Sequence, residues 1–237
     1  MNFKTLKFYL QYFLLGSSKL SYKITRLLAK NKDLFIDKST DIVIEGYPRC
    51  GNTFAVAAFK YAQQKAGKKV KIARHRHELA QVFLAIEYKI PILILIREPL
   101  EAISSLVVRE KIAPRVAIKY YIYYYQHIMD VKDKVVIGDF KKVITNYGEI
   151  IKEINKKYDK HFEIFEHTPQ ALKDVKRIIE KMELEDSKNK EIRITHIAYP
   201  TIEREKLKKQ VKEMIKNNRK LSLLLQEAQY IYKSFLK

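Results

Sequence analysis

One stretch of the chain, residues 41–54, constrains the fold most, because an apolar strand runs directly into a loop bounded by glycines. Gly46 and Gly51 frame four residues, and Asn52 follows. A Walker A loop has the same frame but carries a lysine at the position of Asn52, and that lysine reaches the β- and γ-phosphates. The basic residue of this chain, Arg49, lies inside the loop, where its planar guanidinium could clamp a tetrahedral anion from the side. The loop and the helix expected after it predict a site for a phosphate-like dianion.

Residues 47–54, which read YPRCGNTF, resemble the 5′-phosphosulfate loop of the sulfotransferases that use PAPS (3′-phosphoadenosine 5′-phosphosulfate). That loop usually reads Y-P-K/R-S-G-T/N-T-W/F. The resemblance implies that the following residues bind the cofactor: Arg49, Cys50, Gly51, Asn52, Thr53 and Phe54. Cys50 stands where the family has serine, so a weak thiol donor replaces a good hydroxyl donor, while the backbone donors of the loop are retained.

A second strand-to-helix junction, residues 91–106, supports the first. Its unbroken apolar run predicts a strand buried on both faces that ends at Arg97, and Pro99 suits the first turn of the helix that follows. Ligands of open parallel sheets bind at the carboxyl ends of the strands, so Arg97 is placed to meet one. The segment also resembles the family's 3′-phosphate segment, R-x-P-x-(D/E)-x-x-x-S, which implies that Arg97 and Ser105 bind the 3′-phosphate. The resemblance covers residues 40–110 well and fades afterwards.

The sequence RHRHE at residues 74–78 follows a short predicted strand at residues 69–73 and falls at the same edge of a parallel sheet. His75 and His77 are candidate general bases, because nearby cations lower the pKa of histidine and keep the ring neutral near pH 7. The family commonly has a histidine base after this strand, and the spacing from His75 to Arg97 is similar, so His75 is the first choice and His77 the second. Only one of the two is expected to be catalytic. No metal site is expected, because no further Cys/His cluster completes a zinc set.

Two later segments keep other interpretations open. Residues 114–130 predict a helix rich in tyrosine, for which core packing is the default and an aromatic acceptor pocket the alternative. Asp139 ends a predicted strand at residues 135–140 and is the candidate Walker B acid of a P-loop NTPase. The missing loop lysine counts against that alternative.

The chain from about residue 170 onward predicts lysine-rich helices, interrupted at residues 192–200. Residues 199–204 resemble a late segment of some bacterial sulfotransferases that supplies an arginine to the nucleotide. The resemblance implies that Arg204 is a further nucleotide ligand.

Composition agrees with one enzyme domain. A chain of 237 residues that is 47% hydrophobic can bury a sizeable core, and its size fits one α/β domain. The formal net charge is +20, with lysine spread along the whole chain. We interpret most of this charge as solvated helix faces, because no recognisable DNA- or RNA-binding motif accompanies it. Nucleic acid is therefore not an expected partner.

The N-terminal segment, residues 1–38, is predicted to be helical and distinct from the α/β domain at residues 39–237. The apolar run at residues 8–15 is too short to span a bilayer, which takes about twenty residues. Basic residues recur at intervals along residues 3–31, so the segment could lie on an anionic membrane surface. Packing on the domain is the favoured interpretation.

The sequence therefore predicts an α/β fold with a central parallel sheet flanked by helices, in the three-layer architecture of the P-loop nucleotide kinases. The resemblance implies a sulfotransferase that moves the sulfuryl group of PAPS to a hydroxyl or amine, on a carbohydrate or a lipid, and releases 3′,5′-ADP (PAP) without a metal. The alternatives are a P-loop kinase or NTPase and a non-enzymatic protein that binds polyanions or membrane surfaces. The single cysteine suits a reducing compartment. We expect the cytoplasm, with peripheral contact at the inner membrane surface as a variant; the acceptor and the oligomeric state stay open.

Overall fold

The computed structural model describes residues 3–29, 31–186 and 201–237. Within these ranges the chain forms four strands and ten α-helices. The strands are β1 (Ile42–Gly46), β2 (Ile72–Arg74), β3 (Ile92–Ile96) and β4 (Val136–Asp139). The helices are α1 (Phe3–Tyr9), α2 (Lys19–Leu28), α3 (Asn52–Lys65), α4 (Leu79–Glu87), α5 (Pro99–Glu110), α6 (Pro114–Met129), α7 (Phe140–Tyr158), α8 (Pro169–Asp186), α9 (Ile202–Asn217) and α10 (Arg219–Leu236).

The four strands form one parallel sheet in the order β2-β1-β3-β4. Every residue of β1 and β3 is buried, as expected for apolar strands covered on both faces. Because β2 and β3 lie on opposite sides of β1, right-handed crossovers place α3 and α4 on opposite faces of the sheet. Helix α7 packs against α3, and α4 packs against β1 and β3. The predicted fold class, a central parallel sheet flanked by helices, is confirmed.

The order of the strands creates a switch point between β1 and β3. From β1 the chain moves outward to β2 and then crosses back to β3 on the other side of β1. Ligands of open α/β sheets bind at such a switch point, outside the carboxyl ends of the strands. Ile44 lies beside Arg74, and Gly46 lies beside Leu95. The loops that follow β1, β2 and β3 therefore leave the sheet at one edge.

Tyrosine side chains of α6 hold the backbone near the ends of the strands. Tyr120, Tyr121 and Tyr125 are buried, and each hydroxyl donates a hydrogen bond to a backbone carbonyl near a strand end. Tyr121 binds the carbonyl of Arg97 at 2.7 Å, and Tyr125 binds the carbonyl of Leu95 at 2.6 Å. These three rings belong to the core.

The N-terminal segment packs on the domain. Tyr22 of α2 is buried, its hydroxyl donates to Gln81 of α4, and the backbone N–H of Ile36 donates to the Tyr22 hydroxyl at 2.9 Å. The N–H of Ala80 also donates to the carbonyl of Gly16 at 2.8 Å. Among the described helices, none combines the length and apolar character needed to cross a membrane. The predicted interruption at residues 192–200 lies outside the described residues.

Candidate functional site

The loop after β1 is a strained turn that ends on the N-terminus of α3. Arg49 and Gly51 both have left-handed backbone conformations, with φ of 73° and 90°. The N–H groups of residues 52–54 lie in the first turn of α3 and so have no intrahelical partners. The capping residue, Gly51, has no side chain that could accept from them. These amides and the helix dipole favour an anion. A Cβ on Gly51 would lie 3.0 Å from the Phe140 ring, so the position requires glycine on two counts.

Two side chains of the loop turn inward and hold it in shape. Asn52 is 4% exposed, and its Nδ2 donates to the carbonyl of Tyr47 at 3.1 Å. The Cys50 sulfur is buried, 3.4 Å from the Tyr125 hydroxyl, and burial raises the pKa of the Cys50 thiol to about 12. Asn52 Nδ2 and the neutral Cys50 thiol therefore serve the loop, while the backbone N–H groups of both residues remain for a ligand.

Two arginines that are far apart in sequence meet at Ser105, and a third binds the loop beside them. Arg49 Nε donates to the buried Ser105 Oγ at 3.0 Å, and Arg204 Nη2 lies 3.4 Å from the same oxygen. Arg97 Nη1 donates to the carbonyl of Arg49 at 3.1 Å. Because the Ser105 oxygen accepts from two guanidiniums, its own hydrogen is left to donate to an anion. The β1 loop, the end of β3, and helices α5 and α9 thus contribute to one cationic cluster.

Contacts on both sides hold Arg97 in place. Its guanidinium lies 4.0 Å from the centre of the Phe140 ring, and its Nη2 is 3.7 Å from Glu101 Oε2. Glu101 is in turn paired with Lys208 at 3.2 Å and with Lys212, both on α9. The position of Arg97 is therefore fixed before any ligand arrives.

The cluster is crowded with positive charge. Burial, followed by the charges of Arg109, Arg204 and Arg97, lowers the pKa of Arg49 to about 9. Burial also lowers the pKa of Arg204, and Arg109 and Arg97 add to that effect. A bound polyanion would relieve this repulsion. Sequence reasoning missed Arg109, although it follows Ser105 by four residues and so lies on the same face of α5.

The two candidate histidines lie on a turn, which corrects the expectation of an extended segment. His75 and His77 both have left-handed φ values, 58° and 56°, and their ring centres are 6.3 Å apart. The two rings are therefore neighbours. Burial lowers the pKa of both, for His77 to about 4, so both rings are neutral near pH 7.

Their hydrogen bonds distinguish the two histidines. His77 Nδ1 lies 2.8 Å from the carbonyl of Gly46, which can only accept, so Nδ1 carries the hydrogen and Nε2 keeps its lone pair. The His77 side chain is 16% exposed. His75 Nε2 is buried and has no hydrogen-bond partner among the described residues. This geometry favours His77 over His75, the first choice from the sequence.

A buried carboxylate fixes the turn that carries the histidines. Glu45 of β1 is fully buried and accepts hydrogen bonds from the backbone N–H groups of Arg76 at 2.7 Å and His77 at 3.0 Å. Gln81 Nε2 donates to it at 2.7 Å, and Gln81 is also the acceptor for Tyr22 of α2. Burial raises the pKa of Glu45 to about 8, against the effect of the two backbone donors. Sequence reasoning missed Glu45 because it sits inside an apolar strand.

Two further residues can be placed relative to the site. Phe54, in the first turn of α3, stacks on His167 with ring centres 6.1 Å apart. Asp139, the Walker B candidate, uses both oxygens within the protein: Oδ2 accepts from the N–H of Lys141 at 3.0 Å and Oδ1 from the Tyr232 hydroxyl at 2.7 Å. Asp139 is therefore the N-terminal cap of α7.

No family model matches this sequence. No curated protein matches it either. Among solved structures, the chain is similar to mouse sulfotransferase SULT7A1 complexed with PAP, with 10% sequence identity and a TM-score of 0.42. The match covers 92% of this chain and 95% of that chain. At this identity and TM-score the similarity assigns no ligand to this chain.

Proposed function

We propose that this protein is a sulfotransferase that moves the sulfuryl group of PAPS to a hydroxyl or amine acceptor. The observation that carries the proposal lies at the switch point of the sheet, where Arg49 and Arg204 bond Ser105 and Arg97 bonds the carbonyl of Arg49. PAPS is a polyanion with two separate phosphate-bearing positions. It matches a site with two anion-binding parts, the first turn of α3 and the arginine cluster.

The two parts of the site receive different groups of the nucleotide in this proposal. The amides of residues 50–54 and the guanidinium of Arg49 hold the 5′-phosphosulfate. Arg97, Ser105 and Arg204 hold the 3′-phosphate. Arg49 bonds Ser105 directly, so it connects the two parts and experiences the charge of both.

His77 is the proposed base. Its Nε2 removes the proton of the acceptor as the acceptor oxygen or nitrogen attacks sulfur, and the bond between sulfur and the 5′-phosphate oxygen breaks. PAP leaves with the electron pair of that bond, and its new charge is stabilised by Arg49 and the first-turn amides of α3. Glu45 positions His77 by holding the backbone of its turn.

The local structure supports PAPS over ATP as the nucleotide. A Walker A site needs a cation directly after Gly51, whereas Asn52 is buried there and bonded to Tyr47. Asp139, the candidate Walker B acid, is engaged in two hydrogen bonds with protein groups. The proposed acceptor class, a carbohydrate or a lipid, rests on the sequence interpretation alone.

Calorimetric titration of the protein with 3′,5′-ADP, 5′-AMP and Mg²⁺-ATP tests the nucleotide assignment. We expect 3′,5′-ADP to bind about 10- to 150-fold more tightly than 5′-AMP, because a charge-assisted contact is worth about 1.5–3 kcal/mol. Arg97→Ala should abolish this preference. Arg115→Ala is the matched control, since Arg115 is an exposed arginine on α6 and its loss changes the net charge equally.

Equal affinity for 3′,5′-ADP and 5′-AMP would remove the 3′-phosphate site from the proposal. Tighter binding of Mg²⁺-ATP, with hydrolysis, would favour the kinase alternative. Transfer itself is measured with ³⁵S-labelled PAPS and a panel of alcohols, amines, saccharides and lipids. His77→Asn should abolish transfer while 3′,5′-ADP binding persists.

A further inference from the structure

Helix α2 presents a continuous apolar stripe to solvent. Its inner face is held to the domain by the buried Tyr22 and by an ion pair of 2.7 Å between Arg26 and Asp37. The outer face carries four large apolar side chains with the following exposures: Leu20 69%, Ile24 49%, Leu27 70% and Leu28 81%. Positions i, i+4, i+7 and i+8 fall within about 100° of one another around a helix, so the four form one stripe opposite Tyr22.

Lysines border this stripe. Lys19 and Lys23 both fall on one flank of the four apolar residues by helical periodicity, and both are exposed. Lys19 reaches Glu87 of α4 at 2.6 Å, and the rest of the chain adds to a net charge of +20. An apolar stripe edged by lysine is the pattern of helices that lie in the headgroup region of anionic bilayers.

We propose that the outer face of α2 docks the protein on the surface of an anionic membrane. With ten residues the helix is about 15 Å long, too short to span a bilayer, so it lies in the interface plane. Its inner face is already packed, so docking requires no folding of the helix. A second copy of the chain fits this face less well, because dimerisation would bring together two chains that each carry a charge of +20. The proposal is independent of the proposed sulfotransferase activity.

Vesicle flotation tests the proposal with the full chain. We expect the protein to float with vesicles of phosphatidylcholine and phosphatidylglycerol in equal parts, to float poorly with pure phosphatidylcholine, and to detach as salt is raised. Leu27→Ser combined with Leu28→Ser should weaken binding about tenfold or more, because two leucines leave the interface. Leu223→Ser with Tyr230→Ser is the matched control, since both residues are exposed on α10.

Binding by the α2 variant equal to that of the wild type, or an equal loss in the α10 variant, would overturn the proposal. So would equal flotation with neutral vesicles. A polarity-sensitive fluorophore attached to the Leu27→Cys variant reports whether something other than a membrane covers this face. The label goes to residue 27 alone, since the native Cys50 is fully buried. We expect water-like emission without vesicles and a blue shift with anionic vesicles.

Blue-shifted emission in the absence of vesicles would overturn the proposal in one of two ways. If the blue shift disappears on dilution, a second copy covers the face. If it persists on dilution, another segment of the same chain covers it. Sedimentation of the wild type and the Leu27→Ser/Leu28→Ser variant distinguishes these cases, because only a dimer built on this face would dissociate.

Discussion

Protonation of His77 should destabilise the folded chain in a defined pH window. The ring donates from Nδ1 to the carbonyl of Gly46, lies on a half-buried turn and has cations nearby, and burial is the largest cause that lowers its pKa from 6.5 to about 4. Between about pH 4 and 6.5 the unfolded chain binds a proton at this position and the folded chain does not. Stability therefore rises with pH across this window and is lost as pH falls through it.

The size of the effect follows from the two pKa values. Their difference corresponds to about 3 kcal/mol, since one pKa unit is worth about 1.4 kcal/mol. His77→Asn removes the titration while its amide can still donate to Gly46. The stability advantage of the wild type over this variant should therefore grow by about 3 kcal/mol from pH 4 to pH 7. The substitution also removes packing contacts of the ring, but that loss of stability is the same at every pH. It therefore drops out when the change in the stability difference between pH 4 and pH 7 is measured.

Urea unfolding at several pH values measures this difference, and an NMR titration of the histidine Cε1–H signals measures the pKa directly. His161→Asn is the matched control, because it removes a histidine that is exposed on the surface. A His77 pKa at or above 6.5, or a stability difference that does not change with pH, would refute the reasoning. A depressed pKa also predicts that transfer activity stays level between about pH 5.5 and 7, since the base remains neutral.

Substitutions at three further positions test the loop and the turn. Gly51→Ala should cost about 1–3 kcal/mol in urea unfolding and weaken 3′,5′-ADP binding, because alanine must adopt a φ of 90° against the Phe140 ring; unchanged stability would contradict the geometry. Glu45→Ala should cost about 3 kcal/mol, since three donors, one of them buried and two half-buried, lose their acceptor; a cost below about 1 kcal/mol would show that the Glu45 side chain does not hold the turn. Arg49→Ala should lower the rate of sulfuryl transfer about 10²–10³-fold, more than it weakens 3′,5′-ADP binding, and Arg49→Lys should retain part of the activity. Equal losses in rate and affinity for Arg49→Ala would place Arg49 in nucleotide binding alone.

Local sequence patterns were sufficient to predict the scaffold of the site. The apolar runs at residues 42–46 and 92–96 form buried parallel strands, and the glycine frame before Asn52 lies at the start of a helix. These features depend on residues close in sequence, through burial, backbone conformation and helix termini. Arg49 and Arg97 could be singled out for the same reason, because each falls at a strand-to-helix junction, whereas Ser105 was singled out by the family resemblance.

Long-range contacts decided how the site is assembled. The hydrogen bond from Arg204 to Ser105 joins residues 99 positions apart, and no local pattern encodes it. The same is true of the contact between Glu45 and the turn of His77, 32 positions away. Through this contact an acidic side chain inside an apolar strand holds the turn. The choice between His75 and His77 also depended on the fold, because their backbone leaves the extended conformation and only the partners of each ring nitrogen distinguish them. Sequence periodicity identifies which residues are buried or polar, whereas hydrogen-bond partners are set by the packing of separate elements, which only the tertiary structure supplies.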